Sequence, residues 1–78
     1  MSSTPYTDCL VETIESCREA SAIGTTRKLY CDALEYIDDG RYSEALTCLN
    51  RAEQLELEAG NSLPAKAAIQ ALLLADSE

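Results

Sequence analysis

Fourteen side-chain carboxylates and four cysteines are the chemically versatile residues of this chain, and no histidine accompanies them. Without histidine the commonest general base and metal ligand is missing. Cys9, Cys17, Cys31 and Cys48 form no Cys-x-x-Cys pair, so their spacing does not suit a structural zinc site. Separations of 8 and 17 residues within successive pairs do not match the two arms of a disulfide-stapled hairpin either. The thiols are therefore expected to be reduced. Cys9, Cys17 and Cys48 lie on or beside apolar stripes, as small core hydrophobes, while Cys31 points the way of Glu35 and Asp38 and is expected to react first. Glu53, Glu56 and Glu58 look like a divalent-ion cluster, but helical spacing spreads them around the helix and reads as a solvated face. Asp38-Asp39 reads as a solvated turn, and three isolated glycines make no phosphate loop. The expectation is no enzyme, no cofactor and no metal.

The elements that carry these residues are helices. Thr4-Pro5 has the form of an N-cap followed by proline at the first helical position, after which Leu10, Ile14, Cys17 and Ala20 recur at helical spacing. Gly24 reads as the left-handed residue that ends this first helix. Thr25 or Thr26 can cap a second helix that stops at Gly40, Ser43 a third that stops at Gly60, and Ser62 with Pro64 a fourth. With no alternating strand pattern, the expected fold is all-α. It is one domain over residues 1–78, with a tail at 1–4 and helices at about 5–23, 26–39, 44–59 and 63–76. Connections this short make neighbouring helices antiparallel. The second helix carries two apolar stripes, Leu29-Ala33-Tyr36 and Tyr30-Leu34-Ile37, which predicts packing from two directions and a central position.

Composition narrows the partners. The net charge of −8 opposes nucleic-acid binding, which depends on Lys and Arg neutralising phosphates, and disfavours anionic membrane surfaces. It would steer in a basic protein surface, or only keep a small domain soluble. The stretch from Ala67 to Ala75 is too short to cross a bilayer, which needs about 20 apolar residues. The N-terminus lacks the basic and apolar regions of a signal peptide, so a cytoplasmic location is expected.

The segment from Arg27 to Ala59 resembles a single tetratricopeptide unit. Leu29, Ala33, Tyr36, Gly40, Tyr42, Ala45, Leu49 and Ala52 fill that motif's positions in order, although Leu57 stands where its closing proline belongs. The third-helix stripe moved back by 35 residues lands on Leu10, Ile14, Cys17 and Ala20, as if a trailing helix preceded the hairpin. The resemblance implies a TPR-like helical bundle that binds peptides along the first-helix face, here Arg27, Tyr30, Leu34, Ile37 and Asp38. Of the carboxylate-clamp residues known in that family only Arg27 is present, so recognition of an acidic chaperone tail is not implied.

A second candidate surface is the fourth helix, which carries only Lys66 as a charge between Leu63 and Ala75. Ala65, Ala68, Ile69 and Leu72 can cover the core beside Leu73, leaving Ala67, Gln70, Ala71 and Leu74 outward as a partner-binding face or a homodimer contact. The reading is a small acidic protein–protein interaction module: adaptor, chaperone or regulator. The alternative is an acidic inhibitor that mimics nucleic acid, as a phage-encoded inhibitor of a host defence complex would. That decoy should set its carboxylates in one continuous row, whereas Glu12, Glu15, Glu19, Asp32, Glu35, Glu44 and Glu58 read as spread over several helices.

Overall fold

A computed structural model of the chain describes residues 5–61 and 63–77. Among them are four helices and no strand: α1 (Pro5–Ala20), α2 (Gly24–Asp38), α3 (Tyr42–Glu58) and α4 (Leu63–Asp76). The expected tail at 1–4 and the caps at Thr4 and Ser62 lie outside the described residues.

Two of the three expected glycine stops are present. Gly40 and Gly60 both take φ +79°, where a residue without a Cβ is at no disadvantage. At each, the next residue donates its N–H back five positions, Arg41 to the Tyr36 carbonyl at 2.7 Å and Asn61 to the Glu56 carbonyl at 2.8 Å. The glycine N–H bonds the carbonyl three residues back, so orphan carbonyls at the helix ends are satisfied.

The third stop is different. Gly24 does not end α1; it opens α2, and its φ is not positive. α1 stops instead because the Ser21 hydroxyl accepts the Ile23 N–H at 3.2 Å and turns the chain after Ala20. Neither Thr25 nor Thr26 caps α2, whose N-cap is Ile23 with no side-chain bond. Ser43 likewise lies inside α3, which begins at Tyr42 with Arg41 before it.

Each helix packs on two neighbours, in the ring α1–α2–α3–α4–α1, with no packing across the diagonals. α2 is thus packed from two directions as its stripes require, but so is every helix, and none is central. The antiparallel order is visible at one end of the bundle. There Cys17, near the end of α1, donates its thiol to the Pro64 carbonyl at the start of α4 (3.0 Å).

The buried side chains are Leu10, Ile14, Cys17 and Ser21; Thr26, Tyr30, Ala33 and Ile37; Ala45, Leu49, Ala52 and Glu56; Ala65, Ala68, Leu72 and Ala75. The first three sets are spaced four, three, four and the last three, four, three, the seam of a four-helix bundle. This divides the two stripes expected on α2, since Leu29, Leu34 and Tyr36 only flank the core half-buried. Six of the thirteen apolar core residues are alanine. They let backbones approach closely but bury little area, so stability rests on Leu10, Ile14, Tyr30, Leu49 and Leu72, each worth roughly 1.5–3 kcal/mol.

Surface charge contributes little beside this. Lys28–Asp32 (3.5 Å) and Arg41–Glu44 (3.1 Å) are exposed pairs within one helix or at its start.

Leu49→Ala should therefore cost roughly 2–5 kcal/mol in urea unfolding, and Leu55→Ala, on the same helix but only half-buried, markedly less. Equal losses at the two positions would contradict the seam.

Candidate functional site

The outward side of α4 is where the surface departs from charge. Counting about 100° per residue, Lys66, Ala67, Gln70, Leu73 and Leu74 share the side opposite Ala65, Ala68, Leu72 and Ala75. All five are exposed, with Leu73 at 51 % and Leu74 at 57 %. Gln70, Leu73 and Leu74 line a shallow depression. Of the expected contact residues, Ala67, Gln70 and Leu74 are on this side together. Ala71 is a correction: it is half-buried and packs against the core. Leu73 is the reverse correction, because the seam passes through Leu72 and Ala75 and leaves it outside.

The face implied by the tetratricopeptide resemblance is not open. Tyr30 is fully buried and Ile37 nearly so, while Arg27 and Asp38 are exposed on either side. Tyr30 therefore offers nothing to a partner, and Arg27 stands without the apolar neighbours a peptide groove would need. The reason is ring closure, which brings α1 and α3 against α2 and covers that stripe.

The polar interior was not foreseen. Glu56, expected in solvent, is only 2 % exposed. Its Oε1 lies 3.1 Å from both the Ser21 and the Thr26 hydroxyls, and Asn61 Nδ2 donates to Oε2 at 3.4 Å. Ser21 and Thr26 also touch each other, and Thr26 can donate to the Ile23 carbonyl at 2.9 Å. Two hydroxyls have two protons to share among these acceptors, so the group is a relay with one spare acceptor, not a fully donated cage. Among the described residues no cation pairs with Glu56. It sits at the unfavourable end of its own helix and beside the favourable N-terminal turn of α2. The Gly60 turn places Asn61, whose backbone and side chain both bond Glu56. The signal was available: Ala45, Leu49, Ala52 and Glu56 continue one four-three-four spacing.

One turn further in, the Tyr30 hydroxyl is buried with no hydrogen-bond partner among the described residues. Burial, then the nearby Cys17 and Glu56, push the Tyr30 phenol above its ordinary range. Burial and then the Glu56 charge push the Cys17 thiol up as well.

The cysteines are all free. Cys17 is a core residue and Cys48 half-buried, but Cys9 is exposed, against expectation, because it directly precedes Leu10 and so stands about 100° round the helix from the seam. Cys31 is half-buried and accepts a long contact from the Arg18 guanidinium at 3.7 Å. Burial, then Asp32 and Glu44, raise the Cys48 thiol. No group of three or more Cys, Asp or Glu among the described residues is placed to hold a metal ion. No helix among them is long and apolar enough to cross a membrane.

The acidic residues also form a pattern. Asp8, Glu12, Glu15 and Glu19 are all exposed and, spaced four, three, four, run in one row along the outside of α1.

Compared with protein-family models, with curated proteins and with solved structures, the chain matches none.

The buried phenol has a consequence in alkali. An unfolded tyrosine ionises near 10.0, whereas Tyr30 in the fold keeps its proton to higher pH. Unfolding above that pH releases a proton, so stability present below pH 10.0 is lost as the pH rises past it. Tyr30→Phe should lose less stability between neutral and strongly alkaline pH than the parent, and at neutral pH should be as stable or more so, having no unpaired hydroxyl. A parent and variant with parallel pH profiles would contradict this placement of Tyr30.

Proposed function

We propose that the chain is a small acidic protein–protein interaction module, an adaptor, chaperone or regulator, whose contact surface is the outward side of α4. The observation that carries this is the pair Leu73 and Leu74, side by side and each about half exposed, on the one helix whose middle carries a single charge. The outward side of α1 is charged along its length, and contiguous exposed apolar side chains mark interaction sites. The likeness of residues 27–59 to a tetratricopeptide hairpin supports the same class of role, with α2 as framework. Four free thiols fit a reducing, cytoplasmic setting. The reading assigns no reaction and no cofactor.

The row Asp8, Glu12, Glu15 and Glu19 favours a second reading, an acidic decoy that occupies a basic nucleic-acid site. It supplies the continuous line of carboxylates that such a mimic needs, over about 16 Å of helix. The two readings use different helices and separate by mutation.

Leu74→Glu, which keeps the buried seam intact, should abolish recovery of a partner by the tagged protein in the source cell. That partner must then re-form a complex with the parent from purified components. Neutralising Glu12, Glu15 and Glu19 to glutamine should leave this complex in place. If the glutamine variant loses the partner and Leu74→Glu keeps it, the α4 assignment is wrong and the decoy reading gains.

A further inference from the structure

The polar end layer around Glu56 has the chemistry of a cation site, and we infer that it binds one monovalent cation of about sodium's size between Glu56, Ser21, Thr26 and Tyr30. The site lies apart from the outward side of α4 and stands whether or not that surface binds a partner.

Charge comes first. Buried charges in proteins are paired or coordinate a metal ion, because an uncompensated one is costly to hold away from water. Glu56 is 2 % exposed, and no cation among the described residues pairs with it. Antiparallel packing sets two helix starts and two helix finishes at this end. The helix dipoles therefore largely offset one another and leave the carboxylate's charge standing. Among the described residues no three Cys, Asp or Glu side chains gather as a calcium site requires, so charge balance favours a monovalent ion.

The ligand atoms are all oxygen, which suits a hard cation. Ser21 Oγ and Thr26 Oγ1 touch each other, and each lies 3.1 Å from Glu56 Oε1, so three oxygens form one small triangle. A cation needs their lone pairs, and the two hydroxyl protons have another acceptor. Thr26 can donate to the Ile23 carbonyl at 2.9 Å, and Ser21 reaches the same carbonyl at 3.4 Å. Both hydroxyls can thus turn from donating to Glu56 to coordinating an ion beside it. Asn61 holds Oε2 only by a long 3.4 Å contact from an exposed position. Its amide can turn over to offer Oδ1 as a further oxygen, which makes that edge the route of entry.

Tyr30 is the independent sign. Its side chain is fully buried, and its hydroxyl has no hydrogen-bond partner among the described residues. Tyr30 stands one turn after Thr26, and helical side chains lean toward the start of their helix, which on α2 is the Thr26 end. Glu56, on the antiparallel α3, leans inward to meet it. Their closeness is felt at the Tyr30 phenol, which burial, Cys17 and then the Glu56 charge raise above its ordinary range. A cation seated between the triangle and Tyr30 Oη gains a fourth oxygen and gives that oxygen a partner.

Unfolding at neutral pH tests this, at constant ionic strength, with NaCl exchanged for choline chloride, whose cation is too large to enter. The two salts screen surface charge alike, so a difference between them reads the site. The folding equilibrium constant of the parent should rise with sodium, about tenfold when sodium reaches about ten times its dissociation constant. Glu56→Gln should remove that rise. Tyr30→Phe, as stable as the parent or more so in choline, should show a smaller one. Asn61→Asp, which adds a carboxylate at the edge, should be less stable than the parent in choline and gain more from sodium. Glu58→Gln, at an exposed acid on the same helix, should respond as the parent does. A parent equally stable in the two salts overturns the inference, as does a sodium response that survives Glu56→Gln or that Glu58→Gln removes. Should Glu56→Gln fail to fold, Tyr30→Phe and Asn61→Asp decide: a response that neither of them changes is surface binding only, and the site is refuted.

Discussion

Everything in this fold depends on a seam of inward residues at spacings of three and four, in which six of the thirteen apolar members are alanine. Ala33, Ala45, Ala52, Ala65, Ala68 and Ala75 have no bulk to hold helices apart, so the four backbones approach closely and the few large residues must fill what remains. Tyr30, Leu10, Ile14, Leu49 and Leu72 do so. A seam this narrow covers only one side of each helix, and ring closure gives each helix two neighbours and no third. What lies opposite the seam is therefore exposed by geometry, whatever its chemistry. On α1 that side is acidic; on α4 it is Ala67, Gln70, Leu73 and Leu74.

The same seam explains the polar end layer. Ser21, just after α1, Thr26, in the first turn of α2, and Glu56, in the last turn of α3, lie together at one end of it. A buried carboxylate needs donors and a buried hydroxyl needs an acceptor, and the two hydroxyls both lie within reach of Glu56 Oε1 and share their protons around it. Sliding α3 by one turn would withdraw Glu56 and strand two hydroxyls in the interior, at a cost of order 1–3 kcal/mol apiece. The layer thereby holds the register of an alanine-rich interface that packing alone specifies weakly. Gly60 takes part at one remove, because its left-handed turn is what sets Asn61 against the carboxylate.

The all-α class, the four helices and the glycine turns at Gly40 and Gly60 were legible in the sequence, because each rests on local chemistry: periodicity, short connections and a residue that alone tolerates positive φ. Gly24 misled for the same reason, since a glycine near a helix end looks like a stop whether or not it adopts that φ, and the actual stop is a serine side chain. Where the seam runs was harder. On α2 two overlapping stripes, Leu29-Ala33-Tyr36 and Tyr30-Leu34-Ile37, are equally apolar, and only the approach of α1 and α3 selects Tyr30, Ala33 and Ile37. On α4 nearly every residue is apolar, so Leu73 could not be told from Leu72 by type. Glu56 was hidden by its charge: its spacing placed it inside, but a glutamate reads as solvated until Ser21, Thr26 and Asn61 are known to meet it.

The claim that α4 presents the contact surface is tested most directly by amide chemical-shift mapping as a purified partner is added. The account predicts shifts confined to residues 66–74, with the amides of α2 unmoved. Shifts centred on Arg27 to Asp38, with α4 silent, would contradict it.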